Sequence, residues 1–174
     1  MFLKNDQINN DMKRQKQIIN KLLKKPENKY CADCKNNPPT WASINLGILI
    51  CINCSGCHRE LGTHISKIKS INLDSWPLNV LENFQKMDNK IANNYWEYNL
   101  KKSEFDKIKN DKDKIMEFIR DKYEYKKWVN NNDIDPMQKI INNININNNN
   151  KDEFKFNWNY FNINNNINNN NNIK

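Results

Sequence analysis

The sequence predicts an α+β fold in which helices surround a small antiparallel sheet. Apolar side chains recur at helical spacing on both sides of the middle of the chain. Two short stretches in the middle have the apolar patterns of strands. Residues 30–66 hold all five cysteines, both histidines and all three glycines of the 174-residue chain. The residue types with special chemistry are therefore concentrated in one segment.

The first element is predicted to be an amphipathic helix over residues 6–25, where apolar side chains recur among Lys, Gln and Asn. Pro26 prevents this helix from continuing, because proline lacks the amide hydrogen that the helix needs. Ile48–Ile50 is a continuous apolar run typical of a buried strand. Residues 66–73, with the sequence SKIKSINL, alternate apolar and polar side chains like a half-exposed strand. These two strands indicate a small antiparallel sheet.

Further helices are predicted after the strands. In LDSWPLNVLENFQKM, Asp74 or Ser75 is expected to cap a helix that has Pro77 in its first turn. Helical patterns resume at residues 89–100 and 113–129. The side chains of these helices that we expect in the core are Leu78, Leu81, Phe84, Ile115, Phe118, Ile119, Tyr123 and Trp128.

The composition changes beyond about residue 130, where 21 of the last 45 residues are Asn. Such a sequence cannot bury enough apolar surface to offset the entropy lost when it becomes ordered. We therefore predict a domain at residues 6–130, followed by an Asn-rich linker and disordered tail at residues 131–174.

Charge and hydropathy limit the class of protein. No run approaches the roughly 18 apolar residues that cross a bilayer, and residues 1–23 lack the pattern of a signal peptide. We therefore expect a cytoplasmic protein, in which clustered thiols would remain reduced. The net charge of +8 favours an acidic partner, which could be a nucleic acid, an anionic membrane or an acidic protein.

Four cysteines have the spacing of a structural metal site. The pattern Cys31-x2-Cys34-x16-Cys51-x2-Cys54 provides two pairs of thiolates, as tetrahedral Zn²⁺ requires. Cys57 makes a further Cys-x2-Cys pair with Cys54, but it should lie one turn into a helix that follows Cys54, where a small apolar residue fits better. Four thiolates would leave no open position for water, so this zinc would stabilise the fold without taking part in catalysis.

Four other residues of the segment have two interpretations each. Trp41 is either a protein-binding anchor or a buried cover over the metal. Arg59 is one of few cations in the segment, yet the residues alone favour a solvated or ion-paired helix arginine. His58 and His64 are more typical of structural histidines than of catalysts.

The pattern of cysteines and arginine, together with WASINLG, CSGCHRELGTHIS and INLDSW, resembles the zinc-finger domain of Arf GTPase-activating proteins (ArfGAPs). The resemblance covers residues 18–129 and excludes the Asn-rich tail. NKYCADC and FIRDKYEYKKW are most similar to the small stromal-membrane-associated subgroup. Cys57 stands where the family usually has Ile, and Thr63 where it usually has Val, which affects local packing.

The resemblance implies a three-stranded sheet and a zinc finger surrounded by helices. It also implies that Arg59 is the catalytic finger inserted into the active site of an Arf GTPase. Trp41 corresponds to a tryptophan needed for activity, Leu73 and Asp74 to a Leu-Asp pair near the finger, and Lys67 to a basic position on the same face. The protein would then be an activator of GTP-bound Arf in vesicle traffic, and the Arf GTPase would carry out the hydrolysis itself.

Two other functions compete with this interpretation. A scaffold of the same family would bind an Arf or a coat protein without activating it, although the presence of Arg59 argues against this. A GATA-like nucleic-acid-binding finger also pairs two Cys-x2-Cys motifs, but it would concentrate Lys and Arg after the second pair, where this chain has only Arg59. We therefore expect recruitment to Golgi or endosomal membranes, with coat proteins as further partners and no nucleic acid.

Overall fold

A three-stranded antiparallel sheet lies in the middle of the chain. The computed structural model describes residues 2–109 and 111–148, with side chains for residues 10–109 and 111–143. The sheet consists of β1 (Trp41–Ser43), β2 (Ile48–Ile50) and β3 (Ile68–Ser70), in the order β2-β1-β3. β1 is therefore the central strand. The predicted strands correspond to β2 and β3, and the three-stranded sheet implied by the resemblance is confirmed.

Helices make up most of the rest of the described chain, as predicted. The chain divides into two compact units, and the boundary lies between Lys139 and Ile140. The first contains the sheet and the first six helices, and the described part of the second is helical. Within residues 2–109 and 111–148, no helix is long and apolar enough to cross a bilayer. The helices are α1 (Phe2–Leu23), α2 (Ile52–Glu60), α3 (Leu78–Phe84), α4 (Asn89–Trp96), α5 (Lys102–Asp106), α6 (Lys112–Tyr123) and α7 (Pro136–Asn148).

Helix α1 packs beside α3. It buries Ile18, Ile19 and Leu22, which lie on one face at helical spacing. Gln15 fixes its position, because its side chain donates to the carbonyl of Asp74 at 2.8 Å and accepts from the amide of Trp76 at 2.9 Å. The helix ends at Leu23, before a short 3₁₀ turn at Pro26–Asn28.

The predicted boundaries of the helices that follow the sheet needed correction. Pro77, and neither Asp74 nor Ser75, is the N-cap of α3, because the Asp74 carboxylate accepts a hydrogen bond from the amide of Ser70. Helix α4 ends at Trp96 rather than at residue 100. Helix α6 ends at Tyr123 rather than at residue 129, and Lys126 has a φ of 53°, which a right-handed helix cannot include.

The predicted core of α6 is confirmed. Ile115, Phe118, Ile119, Tyr123 and Trp128 are all buried. The aromatic rings in this group pack closely, and the centroids of the Phe118 and Trp128 rings are 5.2 Å apart. Of the predicted α3 residues, Leu81 and Phe84 are buried and Leu78 is half-buried. Residues 136–148 of the predicted linker form α7, and residues 149–174 lie outside the described residues. The division at residue 130 stays a prediction.

A charged side chain is buried where α6 meets the first pair of cysteines. Lys122 has no solvent exposure. Its ammonium donates to Asp33 at 3.0 Å, to Asn93 at 2.8 Å and to Glu97 at 2.7 Å. Burial disfavours its charge, but Glu97 and Asp33 outweigh burial and raise the pKa of Lys122. The ammonium is therefore a cross-link between α6, α4 and the cysteine loop.

Replacing Lys122 by Met tests this cross-link. The variant keeps the side-chain length but leaves Asp33 and Glu97 without their shared cation, so the free energy of unfolding should fall by about 3–5 kcal/mol. Lys127→Met is the matched control, because Lys127 pairs with Asp121 at 2.6 Å but its side chain is 51% exposed. Urea denaturation measures both. Equal losses in the two variants would contradict the proposed importance of the buried ammonium.

Candidate functional site

Four cysteines from two parts of the chain converge beside the sheet. Cys31 and Cys34 lie in the loop after the 3₁₀ turn. Cys51 follows β2 and is the N-cap of α2, and Cys54 is in the first turn of that helix. All four side chains are buried, and their sulfur atoms lie within 4.8 Å of one another. The pairing of the two Cys-x2-Cys motifs is therefore confirmed.

The spacing of the sulfur atoms fits a tetrahedral metal ion. All five cysteines, each within the described residues, are free thiols. The Sγ atoms of Cys34 and Cys51 are 3.8 Å apart. An ion bound at about 2.3 Å by four thiolates has sulfur–sulfur edges of about 3.8 Å. The amide of Asp33 also donates to Cys31 Sγ at 3.4 Å, which would stabilise a thiolate. The four cysteines are thus positioned to bind a metal ion.

Cys57 lies outside this cluster, as expected. It is half-buried, and its thiol donates to the carbonyl of Asn53 at 3.7 Å. The helix that carries it begins earlier than predicted, at Ile52 instead of after Cys54. The reason is that Cys51 is extended, with φ −79° and ψ 170°, while its carbonyl already accepts from Ser55 at 2.9 Å. Cys51 therefore both belongs to the cluster and starts the helix.

Arg59 and Trp41 form a stacked pair. Arg59 lies in the last turn of α2, exposed to solvent, and its Cζ is 4.4 Å from the centroid of the Trp41 ring. Trp41 lies in β1 and is half-buried. A cation above the face of an aromatic ring is attracted by the π electrons of the ring, and the planar guanidinium of arginine stacks well on that face. Trp41 thus holds the exposed Arg59 side chain on the surface.

Leu73 and Asp74 lie in the loop that follows β3. Leu73 is 85% exposed, more than any other large apolar side chain among the described residues. Ser70 holds the loop, because its hydroxyl accepts from the amide of Leu73 at 3.1 Å and its own amide donates to Asp74. Ser70 is also the register partner of Trp41 in the sheet. The sheet thus places Leu73, Asp74 and the stacked pair near the same end of β1 and β3.

Lys67 lies at the other end of β3. Its carbonyl accepts from Ile44 at 2.9 Å, and its amide donates to Asn45 at 2.7 Å. Burial lowers the pKa of the Lys67 ammonium. The structure therefore brings Arg59 and Trp41 into contact and places the loop beside them, whereas Lys67 is separated from the loop by the length of the strand.

The two histidines occupy different environments. His58 is fully buried and bonded through both ring nitrogens, to Ser66 at 2.8 Å and to Asp33 at 2.9 Å. His64 is exposed. Sequence reasoning did not identify Asp33 or Lys122. The feature of the sequence that could have drawn attention to Asp33 is its position between two predicted metal ligands, Cys31 and Cys34.

Comparison with known proteins places the chain in a family. The ArfGap family model, described as "Putative GTPase activating protein for Arf", matches residues 16–132. The chain is 47% identical over 117 residues to "Stromal membrane-associated protein 1" of Homo sapiens, which covers 67% of this chain and 25% of that protein. It is 45% identical over 116 residues to "ADP-ribosylation factor GTPase-activating protein effector protein 2" of Saccharomyces cerevisiae, covering 66% and 39%.

A solved structure has the same fold. The "ArfGap domain of HIV-1 Rev binding protein" superposes with a TM-score of 0.63 and 24% identity, covering 78% of this chain and 98% of that one. The chain spans well under half of the length of the curated relatives described above. The family model matches more than half of the chain, and the resemblance seen in the motifs is thereby confirmed. The chain belongs to the ArfGAP family.

Proposed function

We propose that this protein is a GTPase-activating protein for Arf-family small GTPases, with Arg59 as the catalytic residue. The observation that carries the proposal is the exposed Arg59 guanidinium, stacked 4.4 Å from the Trp41 ring on a helix that begins in the cysteine cluster. Membership of the ArfGAP family supports it. So does the similarity to the yeast relative, which is named as an ADP-ribosylation factor GTPase-activating protein effector.

Arginine suits this chemistry. Transfer of the γ-phosphoryl group of GTP spreads negative charge over its oxygens, and the planar guanidinium can donate two hydrogen bonds to that charge. An arginine supplied by a partner protein accelerates hydrolysis by about 10³ to 10⁵, or roughly 4 to 7 kcal/mol of transition-state stabilisation. The GTPase would provide the Mg²⁺ and the group that orients water. The protein is therefore an activator, and hydrolysis belongs to the bound Arf.

The partner-binding face would lie around the stacked pair. Leu73 offers an exposed apolar side chain, and Trp41 offers a large ring at the same end of the sheet. Asp74 fixes the loop through Ser70, so its role is to hold Leu73 in place. Lys67, at the other end of β3, would add a basic contact to the same partner. The preferred partner is Arf in its GTP-bound form, because Arg59 needs the γ-phosphoryl group.

We propose Zn²⁺ as the ion of the cysteine cluster. Cys31, Cys34, Cys51 and Cys54 would bind it as four thiolates, and it would supply rigidity at the start of α2. Recruitment to Golgi or endosomal membranes, interaction with coat proteins and a role in vesicle traffic are also proposed. The net charge of +8 would favour anionic membranes.

The first prediction of this proposal concerns the metal. The purified chain should contain one Zn²⁺, and Cys51→Ser should lose it together with cooperative unfolding, because a structural zinc contributes on the order of 10 kcal/mol to folding. Elemental analysis and thermal denaturation measure this. Cys57→Ser is the matched control and should keep both properties. Loss of zinc in Cys57→Ser, with retention in Cys51→Ser, would show that the ligand assignment is wrong.

The second prediction concerns catalysis. Arg59→Lys keeps the charge and loses the planar fork, so stimulation of Arf GTP hydrolysis should fall by about 10³ or more, while zinc content and stability stay near the parent. Single-turnover hydrolysis on a panel of myristoylated Arfs measures it. Binding to Arf loaded with a non-hydrolysable GTP analogue should change little. Near-parental activity at saturating protein would leave the non-activating scaffold as the better explanation.

The third prediction separates Trp41 from Arg59. Trp41→Ala removes both the ring that holds the guanidinium and a contact surface, so it should weaken association with Arf as well as maximal turnover. Titration of the protein in the same hydrolysis assay gives both quantities. If only turnover fell, with association at the parental level, Trp41 would act through Arg59 alone and not as an interface anchor.

A further inference from the structure

We propose that His58, bonded to Ser66 on one side and to Asp33 and Lys122 on the other, forms a positioning network that fixes the orientation of α2 and thereby of Arg59. The catalytic consequence rests on the proposed function of Arg59, whereas the positioning itself can be measured without a GTPase. His58 immediately precedes Arg59, so any rotation of α2 at this point moves both residues together.

Helix α2 itself buries little apolar surface, and the large apolar residue that anchors its end is Leu61, the buried C-cap. Of its nine residues, all of which the structure describes, the buried ones are Cys54, Ser55 and His58. Its one large aliphatic side chain, Ile52, is 57% exposed. A surface helix is normally oriented by a stripe of large apolar residues. In α2 the cysteine cluster holds the first turn and His58 is the buried side chain nearest the other end.

His58 connects α2 to two other parts of the domain. One ring nitrogen, Nε2, donates to the carboxylate of Asp33 at 2.9 Å, in the loop between Cys31 and Cys34. The other, Nδ1, lies 2.8 Å from the hydroxyl of Ser66. That hydroxyl is 2.8 Å from the hydroxyl of Ser43, in the strand that carries Trp41. The ring cannot turn without breaking a buried hydrogen bond on one side, and each broken bond is costly.

Asp33 is itself held in place. Its second carboxylate oxygen accepts from Lys122 at 3.0 Å and from the Tyr123 hydroxyl at 2.8 Å. Lys122 is anchored in turn by Asn93 and Glu97 of the α4 segment. Buried ion pairs often contribute less to stability than apolar residues of the same size, so stability alone is a weak reason for this arrangement. A directional role explains it better, because hydrogen bonds fix angles as well as distances.

Small rotations of α2 would matter for catalysis. A side chain that ends about 6 Å from the helix axis moves by about 2 Å when the helix rotates by about 20°. Misplacing a catalytic group by about 1 Å can reduce the rate about 10²-fold. The network therefore acts on the arginine through its backbone, while Trp41 acts on its side chain.

The test uses the full chain and the side-chain NMR signals of its three arginines, Arg14, Arg59 and Arg120. The Arg59 Nε–Hε signal should be shifted by the ring current of Trp41, and Trp41→Ala identifies that shift. In His58→Leu we expect the Arg59 signal to move towards its position in Trp41→Ala, while the other two arginines stay in place. His58→Gln, whose amide can donate to Asp33, should restore part of the shift.

The hydrolysis assay gives the second measurement. His58→Leu should lower the maximal rate at saturating protein about 10²-fold and change the half-saturating concentration less than about threefold, and His58→Gln should recover part of the rate. Val80→Ala is the stability control, because Val80 is buried in α3. It should lower the unfolding midpoint without moving the Arg59 signal. All variants are compared at equal zinc content.

The outcomes separate the two proposals. An unmoved Arg59 signal together with a parental rate in folded His58→Leu overturns the positioning role. A moved signal combined with parental activity of Arg59→Lys supports the positioning role and overturns the catalytic one. If His58→Leu does not fold, Ser66→Ala decides, because it removes one bond to His58 and leaves the bond to Asp33. A Ser66→Ala protein with unchanged signal and rate also overturns the positioning role.

Discussion

The convergence of the four cysteine thiols determines where the proposed catalytic arginine lies. Cys51 belongs to the cluster and is also the single residue between the end of β2 and the start of α2. Because Cys51 and Cys54 must both face the other two sulfurs, the start and the rotation of the first turn of α2 are fixed together. Arg59 follows about two turns later, exposed to solvent in the last turn of the helix. The position of the cysteine cluster thus sets the base of the proposed finger.

The domain uses different interactions for stability and for orientation. Helices α3 and α6 pack through large apolar side chains such as Leu81, Phe84 and Phe118. These side chains are buried, and their burial stabilises the fold through the hydrophobic effect. Helix α2 packs through His58 and Ser55, which are polar and contribute direction rather than much apolar area. Changes in the apolar core should therefore affect mainly stability, whereas changes to His58 should affect mainly the geometry of the site.

Sequence reasoning succeeded where the signal is local. The cysteine spacing predicted the cluster, and helical spacing predicted the buried residues of α6, because both depend on distances along one segment. β1 was not identified as a strand from its residues, since Trp41–Ser43 is defined by its pairing with β2 and β3 rather than by a pattern. The buried Lys122 was also missed. It lies in a Lys-rich helix, where lysine is usually solvated, and its partner Asp33 is 89 residues away in sequence.

The proposed binding face depends on the central strand more than on any of its own exposed residues. β1 places the Trp41 ring under Arg59 and pairs the same residue with Ser70, which holds the loop of Leu73. An exposed apolar side chain on a loop would ordinarily sample many positions, and binding would then carry the entropic cost of ordering it. Here the amide of Leu73 donates to the Ser70 hydroxyl and the amide of Ser70 donates to the Asp74 carboxylate, and both bonds restrict the loop before any partner arrives. The guanidinium and the apolar contact are therefore arranged relative to each other by the sheet, so a partner that fits one meets the other in a fixed position.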